Sequence, residues 1–239
     1  MTFRPIVLSD LDYTVIFDSV LADRTRELIE EIRKQAYFIV VTARSYEEYQ
    51  PLSSIPNDGL VTENGAVVYL RSDGRDVVDA EWDAVMARRY DTLVGFRDRL
   101  RAEGWRIHYK QRAFSSSVTQ SGKTQEDVDR VEAEVPEGLR LEFSRNTAGT
   151  YLEVFPIEAG KDQAVHRVCH DLGTPVSQTF GLGDNPNDMG MLTVVNFPLA
   201  PGNCDPQVRE LVQHRRGYVS PQSGHPGAQD ILQQVLARL

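Results

Sequence analysis

The stretch Arg4-Pro5-Ile6-Val7-Leu8-Ser9-Asp10-Leu11-Asp12-Tyr13-Thr14 decides the reading of this chain. Its apolar run predicts a short buried strand over Ile6–Ser9, which breaks into two carboxylates one residue apart. Both acids then sit at the carboxyl end of a strand, where ligands bind in open α/β sheets. Two acids so close repel one another, and that repulsion calls for a cation between them. Far downstream, Thr179-Phe180-Gly181-Leu182-Gly183 runs into Asp184-Asn185-Pro186-Asn187-Asp188, a second strand ending in acids.

Outward from the first strand, strand and helix patterns alternate. Residues 24–35 read as a helix with Leu28, Ile29 and Ile32 on one face. Phe38-Ile39-Val40-Val41 is a second strand, ending at Thr42-Ala43-Arg44. Ser45 and Glu48 form a capping box for a short helix that Pro51 stops. Gly59–Thr62 is a third strand, and Asn64-Gly65 a hairpin turn into residues 66–70. This alternation implies a parallel doubly wound sheet.

From about Trp82 to Pro156 the order changes. A helix over 85–103 precedes strands at 106–110 and 115–119, and a helix at 125–134 precedes strands at 140–143 and 151–155. That is α+β order and predicts an insertion. The first pattern then resumes with a helix carrying Ala164, Val165, Val168, Cys169 and Leu172 and ending at Gly173. The strand before Asp184, a helix from Met189, a strand at 197–200 and closing helices at 206–213 and 229–236 follow. The expected architecture is therefore α/β. Residues 1–81 and 160–239 form a Rossmann-like parallel-sheet core, and an α+β domain over 82–159 is inserted into it.

Composition narrows the function. The net charge of the 239 residues is -9, which argues against nucleic acid or an anionic membrane as partner. Two cysteines, Cys169 and Cys204, read as reduced residues of a cytoplasmic protein. The first nine residues lack a signal-peptide pattern, and no run reaches the roughly 20 apolar residues of a spanning helix. The expected partner is a small phosphorylated metabolite, and the expected state a monomer or small homo-oligomer.

Four motifs in order resemble the haloacid dehalogenase-like phosphohydrolase superfamily. They are D-x-D-x-T at Asp10, Asp12 and Thr14; Thr42 at the end of the second strand; Lys161 in Ala159-Gly160-Lys161-Asp162; and G-D-x-x-N-D at Gly183 to Asp188. Gly202-Asn203 and the insertion between the second and third motifs look like its large-cap subclass. The spelling is similar to mannosyl-3-phosphoglycerate phosphatase and sucrose-phosphatase relatives. Tyr13 departs from the glycine common at that position in the subclass.

The resemblance implies an Mg²⁺-dependent phosphatase whose inserted domain is a substrate-reading cap. Asp10 would be the nucleophile that carries an aspartyl-phosphate, and Asp12 the general acid and base. Asp184 would complete an Mg²⁺ site with the Asp10 carboxylate and the Asp12 carbonyl, with Asp188 an outer ligand or the acid that holds Lys161. Thr42 and Lys161 would hold the phosphoryl oxygens. Arg44, Glu63 and Asn64 lie at strand ends facing the cleft, and Asn185 and Asn187 are expected to line it. Lys110, Arg112, Lys123 and Arg145 could reach a substrate tail from the insertion.

Other features carry less. His166 and His170 stand four apart on a helix without a third zinc ligand nearby in sequence. Gly181-x-Gly183 lacks the rest of a dinucleotide fingerprint. A sugar phosphomutase or phosphotransferase would use the same acids, and a non-catalytic phospho-ligand-binding regulator could be built on the same fold.

Overall fold

The computed structural model describes residues 3–72, 75–146 and 149–239, without the side chains at 72, 75, 145 and 146. Chain order begins with β1 (Ile6–Ser9), α1 (Asp23–Ile32), β2 (Tyr37–Val41), α2 (Tyr46–Tyr49), β3 (Gly59–Thr62), β4 (Val67–Ser72) and β5 (Arg75–Val78). Next come α3 (Ala80–Ala87), α4 (Tyr90–Ala102), β6 (Ile107–Tyr109), β7 (Phe114–Ser117), α5 (Gln125–Ala133), β8 (Leu139–Asn146) and β9 (Gly149–Pro156). The last part holds α6 (Lys161–Asp171), β10 (Thr179–Leu182), α7 (Met189–Val194), β11 (Phe197–Ala200), α8 (Pro206–His214), β12 (Tyr218–Val219) and α9 (Gly224–Leu236).

Eight strands form one sheet in the order β12-β11-β10-β1-β2-β3-β4-β5. The run from β12 to β3 is parallel, and β4 and β5 add antiparallel. Every residue of β1 is buried, as a parallel strand covered on both faces requires. Its side chains alternate between two layers. Val7 joins Leu28, Ile29 and Ile32 of α1 and Ile231, Leu232 and Val235 of α9. Ile6 and Leu8 join Ala164, Val165 and Val168 of α6, Met191 and Leu192 of α7, and Val208 and Val212 of α8. Parallel pairing sets Ser9 opposite Leu182 and Val40, so the segments after β1, β2 and β10 emerge at the same edge. That edge carries the acids.

The insertion builds a second, antiparallel sheet in the order β6-β7-β9-β8. One face carries Phe114, Leu152 and Val154, which pack with Leu93, Phe96 and Leu100 of α4 and Val128 and Val131 of α5. The period of two turns Ser115, Tyr151 and Glu153 to the opposite face, which lines a cleft. The helix expected over 85–103 is two helices. The Asp79 carboxylate caps α3 by accepting from the N–H groups of Glu81 and Trp82, and Arg89 leaves helical geometry between α3 and α4. The Asn64-Gly65 hairpin is present, but its turn is a 3₁₀ segment over Glu63–Gly65. Strands β5 and β12 lie outside the expected elements, and α9 starts five residues before the expected 229. Cys169 and Cys204 are both free and buried, and no helix among the described residues is long and apolar enough to cross a membrane.

Phe114 is fully buried within the apolar cluster of the insertion. Phe114→Ala should lower stability by about 3–5 kcal/mol, read as a shift of the urea unfolding curve followed by fluorescence of Trp105 in the same cluster. An unshifted curve would contradict this packing.

Candidate active site

Three segments converge at the carboxyl edge of the parallel strands. Asp10 follows β1, Asp184 and Asp188 follow β10, and Lys161 opens α6. Carboxylate oxygens of Asp10, Asp184 and Asp188 lie within 4.8 Å of one another, and all three residues are buried. Lys161 stands between two of them, with Nζ 2.7 Å from Asp10 Oδ1 and 2.6 Å from Asp188 Oδ1. Its side chain has no exposed surface.

The remaining oxygens are disposed unequally. Asp188 Oδ2 accepts from the N–H groups of Asp184 and Asn185 at 3.0 Å each, so both of its oxygens are engaged. Asp184 Oδ1 accepts from the Thr14 hydroxyl at 2.8 Å. Burial, reinforced by Asp188, pushes the Asp10 carboxyl up to about 7 even though Lys161 pulls it down. Burial and the neighbouring acids raise Asp184 well above the usual carboxylate range. Burial alone would lower the Lys161 ammonium, but Asp10 and Asp188 outweigh it and raise it. Three buried acids against one buried cation leave a negative surplus.

Asp12 stands outside this cluster. Its carboxylate is held by Arg44 through two bonds of 2.7 Å, to Nε and Nη2. Thr42 is buried beside them, and its hydroxyl oxygen accepts from the Arg44 N–H at 3.2 Å, which leaves the hydroxyl proton to donate. Asp10, Asp12, Thr42, Arg44, Asn185 and Asn187 all line one cleft of about 470 Å³. Asn64 stands behind the cleft wall and accepts from Asn187 Nδ2 at 3.0 Å.

The insertion supplies the opposite wall. Lys110 Nζ donates to the Ala43 carbonyl at 2.7 Å and to Glu153 Oε2 at 3.0 Å, and the Ser144 hydroxyl donates to Glu153 Oε1 at 3.1 Å. His108, Ser115, Gln120 and Tyr151 complete it. Sequence reasoning missed His108, Ser144, Tyr151 and Glu153. A carboxylate between Leu152 and Val154 in an apolar strand was the available signal for Glu153. Lys123, expected at the substrate, is not among the cleft-lining residues. Its ammonium donates to the Glu103 carbonyl at 2.7 Å and lies over the Trp105 ring, within the insertion. The side chain of Arg145 lies outside the described residues. Arg112 pairs with Asp83 instead of lining the cleft. His166 and His170 are exposed.

Parallel core, α+β insertion and acids at the strand ends define a haloacid dehalogenase-like phosphatase, a hydrolase of phosphoric monoesters. The chain belongs to the sucrose-6F-phosphate phosphohydrolase family, whose model matches residues 3–234. It is similar to a 5-amino-6-(5-phospho-D-ribitylamino)uracil phosphatase of Bacillus subtilis (strain 168), at 24% identity over 229 residues, 87% of this chain and 88% of that protein. A phosphoglycolate phosphatase of Sulfurisphaera tokodaii is 22% identical over 211 residues, 86% of this chain and 84% of that protein. Among solved structures, the sucrose-phosphatase of Synechocystis sp. PCC6803 in complex with sucrose and phosphate superposes with a TM-score of 0.79 at 20% identity. That match covers 99% of this chain and 98% of the other.

Gly183 lies where a side chain has no room, since a Cβ there would come within 2.5 Å of Asp188 Cβ. Gly183→Ala should displace Asp188 from Lys161 and lower phosphatase kcat by about 100-fold, with the fold retained by circular dichroism. Near wild-type kcat would show that the Asp188–Lys161 contact is dispensable.

Proposed function

We propose that the chain is an Mg²⁺-dependent phosphomonoesterase acting on a small phosphorylated sugar or organic acid through an aspartyl-phosphate on Asp10. The observation that carries this reading is the buried trio Asp10, Asp184 and Asp188, with Lys161 fixing Asp10 at the floor of the cleft. The cleft volume falls within the roughly 300–1,000 Å³ of small-molecule sites, and the relatives' names share a phosphomonoester substrate.

The donor set fits a hard divalent cation, being all oxygen and negatively charged in excess. Asp10 and Asp184, whose Oδ1 atoms accept from Lys161 and Thr14, would hold the ion together with the Asp12 backbone carbonyl. Asp188 gives Oδ1 to Lys161 and Oδ2 to two N–H groups, so it holds Lys161 and would be at most an outer ligand of the ion. Bound there, the cation neutralises the charge of the phosphate and the acids.

The Asp10 carboxylate forms a bond to phosphorus as the bond from phosphorus to the alcohol oxygen breaks. Asp12 gives its proton to that departing oxygen, then takes one from the water that attacks the aspartyl-phosphate, which releases phosphate and restores Asp10. Arg44 must surrender a bond to Asp12 for this to happen, and the arriving phosphate is an anion for which it can exchange that bond. Thr42 and Lys161 donate to the phosphoryl oxygens as charge builds on them. The antiparallel sheet of the insertion acts as a cap that faces the alcohol portion with Lys110, Glu153 and Ser144.

A panel of sugar phosphates and phosphorylated organic acids with Mg²⁺, read by released phosphate, tests the activity. Asp10→Asn should fold and retain less than about 1% of wild-type turnover. Isomerised product without free phosphate would instead identify a mutase, and binding without turnover a regulator.

Stability tests the cation independently. A carboxyl that is harder to ionise folded than unfolded adds stability below its unfolded value of about 4, and loses it as pH rises through the folded value. With Asp10 near 7 and Asp184 raised as well, the metal-free acid cluster should stabilise the fold less as pH climbs from about 4 to 8. Saturating Mg²⁺ at pH 7.5 should restore about 2–3 kcal/mol, seen as a higher Tm, and Asp184→Asn should shrink that gain. A Tm indifferent to Mg²⁺ would remove the cation from this site.

A further inference from the structure

We propose that Glu63 is a positioning residue that latches the insertion onto the core through the backbone N–H groups of Gln111 and Arg112. The turn that carries it is under local strain. Glu63 and Asn64 both have φ of 54°, and Gly65 has φ of 98°. Side-chain-bearing residues avoid that left-handed region, and such a turn persists only where its surroundings over-determine it.

Those surroundings are the catalytic loops. The Glu63 N–H donates to the Arg44 carbonyl at 2.9 Å, and the Asn64 N–H to the Thr42 carbonyl at 3.1 Å. Asn64 receives Asn187, and the Gly65 carbonyl receives the Trp82 indole N–H at 2.9 Å. A Cβ on Gly65 would come within 2.4 Å of the Gly160 carbonyl, one residue before Lys161. One turn therefore abuts the segments that follow β2, precede α6 and follow β10.

The Glu63 side chain turns away from all of them and crosses to the insertion. Its Oε1 accepts from the Gln111 N–H at 3.0 Å and its Oε2 from the Arg112 N–H at 2.6 Å. The residue is 1% exposed. Burial pushes its carboxyl up, while the two N–H groups and Lys110 draw it back. A buried carboxylate that loses its hydrogen bonds is costly, so these contacts are favourable only with the 110–112 loop seated; with the loop withdrawn, water solvates the carboxylate instead. Seating has a second consequence. It brings the Lys110 ammonium to the Ala43 carbonyl, between Thr42 and Arg44, and Lys110 is the one lysine or arginine that the insertion adds to the cleft among the described residues. Arg112 anchors the far side of the loop through two bonds to Asp83. The latch thus holds the cap-borne Lys110 in the cleft wall that faces the alcohol portion of the substrate.

Amide hydrogen exchange on the whole chain reads the latch without any substrate. Gln111 is exposed, yet its N–H and that of Arg112 should exchange at least about 100-fold more slowly than an unprotected loop amide. Glu63→Gln keeps the shape but turns an NH₂ group toward one donor. It should remove most of that protection, while β2 keeps its own and Tm moves by only a few degrees.

The turnover arm rests on the proposed phosphatase reading. With Glu63→Gln, kcat/KM for the best substrate of the phosphate-release panel should fall about 10-fold or more, and for p-nitrophenyl phosphate less than about 2-fold. Unchanged exchange at Gln111 and Arg112, or equal losses on both substrates, would overturn the latch. Should Glu63→Gln fail to fold, the wild-type amides decide alone: slow exchange supports the latch and fast exchange refutes it. Should the wild type release no phosphate from the panel, the phosphatase reading fails, and the exchange result still judges the latch.

Discussion

A lysine ammonium with no exposed surface holds this site together. Burying a charge costs several kcal/mol unless it is paired and hydrogen-bonded, and Lys161 meets that condition with Asp10 and Asp188. The same contacts make it indispensable, because without it two buried carboxylates would face each other across the site. Lys161 does not balance the charge, however. Asp184 adds a third acid, fixed by the Thr14 hydroxyl, and the surplus favours either a bound proton or a metal ion. Burial chiefly, with the neighbouring acids adding to it, raises the Asp10 and Asp184 carboxyls and so favours a proton there. A site that binds protons tightly when empty is one in which a divalent cation has charge to neutralise.

The fold delivers these groups with little help from loops. Asp10, Thr42 and Asp184 each stand one or two residues beyond a parallel strand, and the register of β1 with β2 and β10 sets their spacing. Lys161 is the first residue of α6, whose buried face is anchored by Ala164, Val165 and Val168. Sites built on strand ends and helix starts are more precise than sites on free loops. The insertion is positioned differently, by a small apolar cluster of Ala66 with Met86, Ala113 and Phe155 and by polar contacts such as those of Lys110, Glu63 and Arg112 with the core and α3. Polar contacts exchange with water at modest net free energy, as the proposed cap would need in order to admit a substrate.

That difference explains what the sequence could and could not disclose. Acids at the ends of β1 and β10 were legible because a buried parallel strand is a continuous apolar run whose end is obvious. Lys161 was legible only through the order of the four motifs, since a lone lysine at a helix start is usually solvated. The cleft wall of the insertion was not, because Glu153 and Ser144 meet through the antiparallel register of β8 with β9. Lys110 and Lys123 look alike in sequence, yet one reaches Ala43 and the other caps the Glu103 carbonyl. The break between α3 and α4 also escaped, for no glycine or proline marks Arg88-Arg89.

Tyr13 shows how a departure from a motif can leave its geometry intact. Its φ of 61° lies where glycine is at ease, and a side chain there costs about 1–2 kcal/mol. The loop offsets that cost with its own bonds. The Tyr13 N–H donates to the Ile16 carbonyl at 2.8 Å, and its carbonyl accepts from Asn203 Nδ2 at 2.8 Å. Asn203 is held in turn by the Gly224 N–H at the start of α9, and the Tyr13 ring packs edge-on against Phe17. Asp12 and Thr14, on either side of Tyr13, keep their partners Arg44 and Asp184. Tyrosine therefore adds its ring to the lining of the cleft, while the backbone beneath it is pinned from a helix more than 200 residues further along the chain.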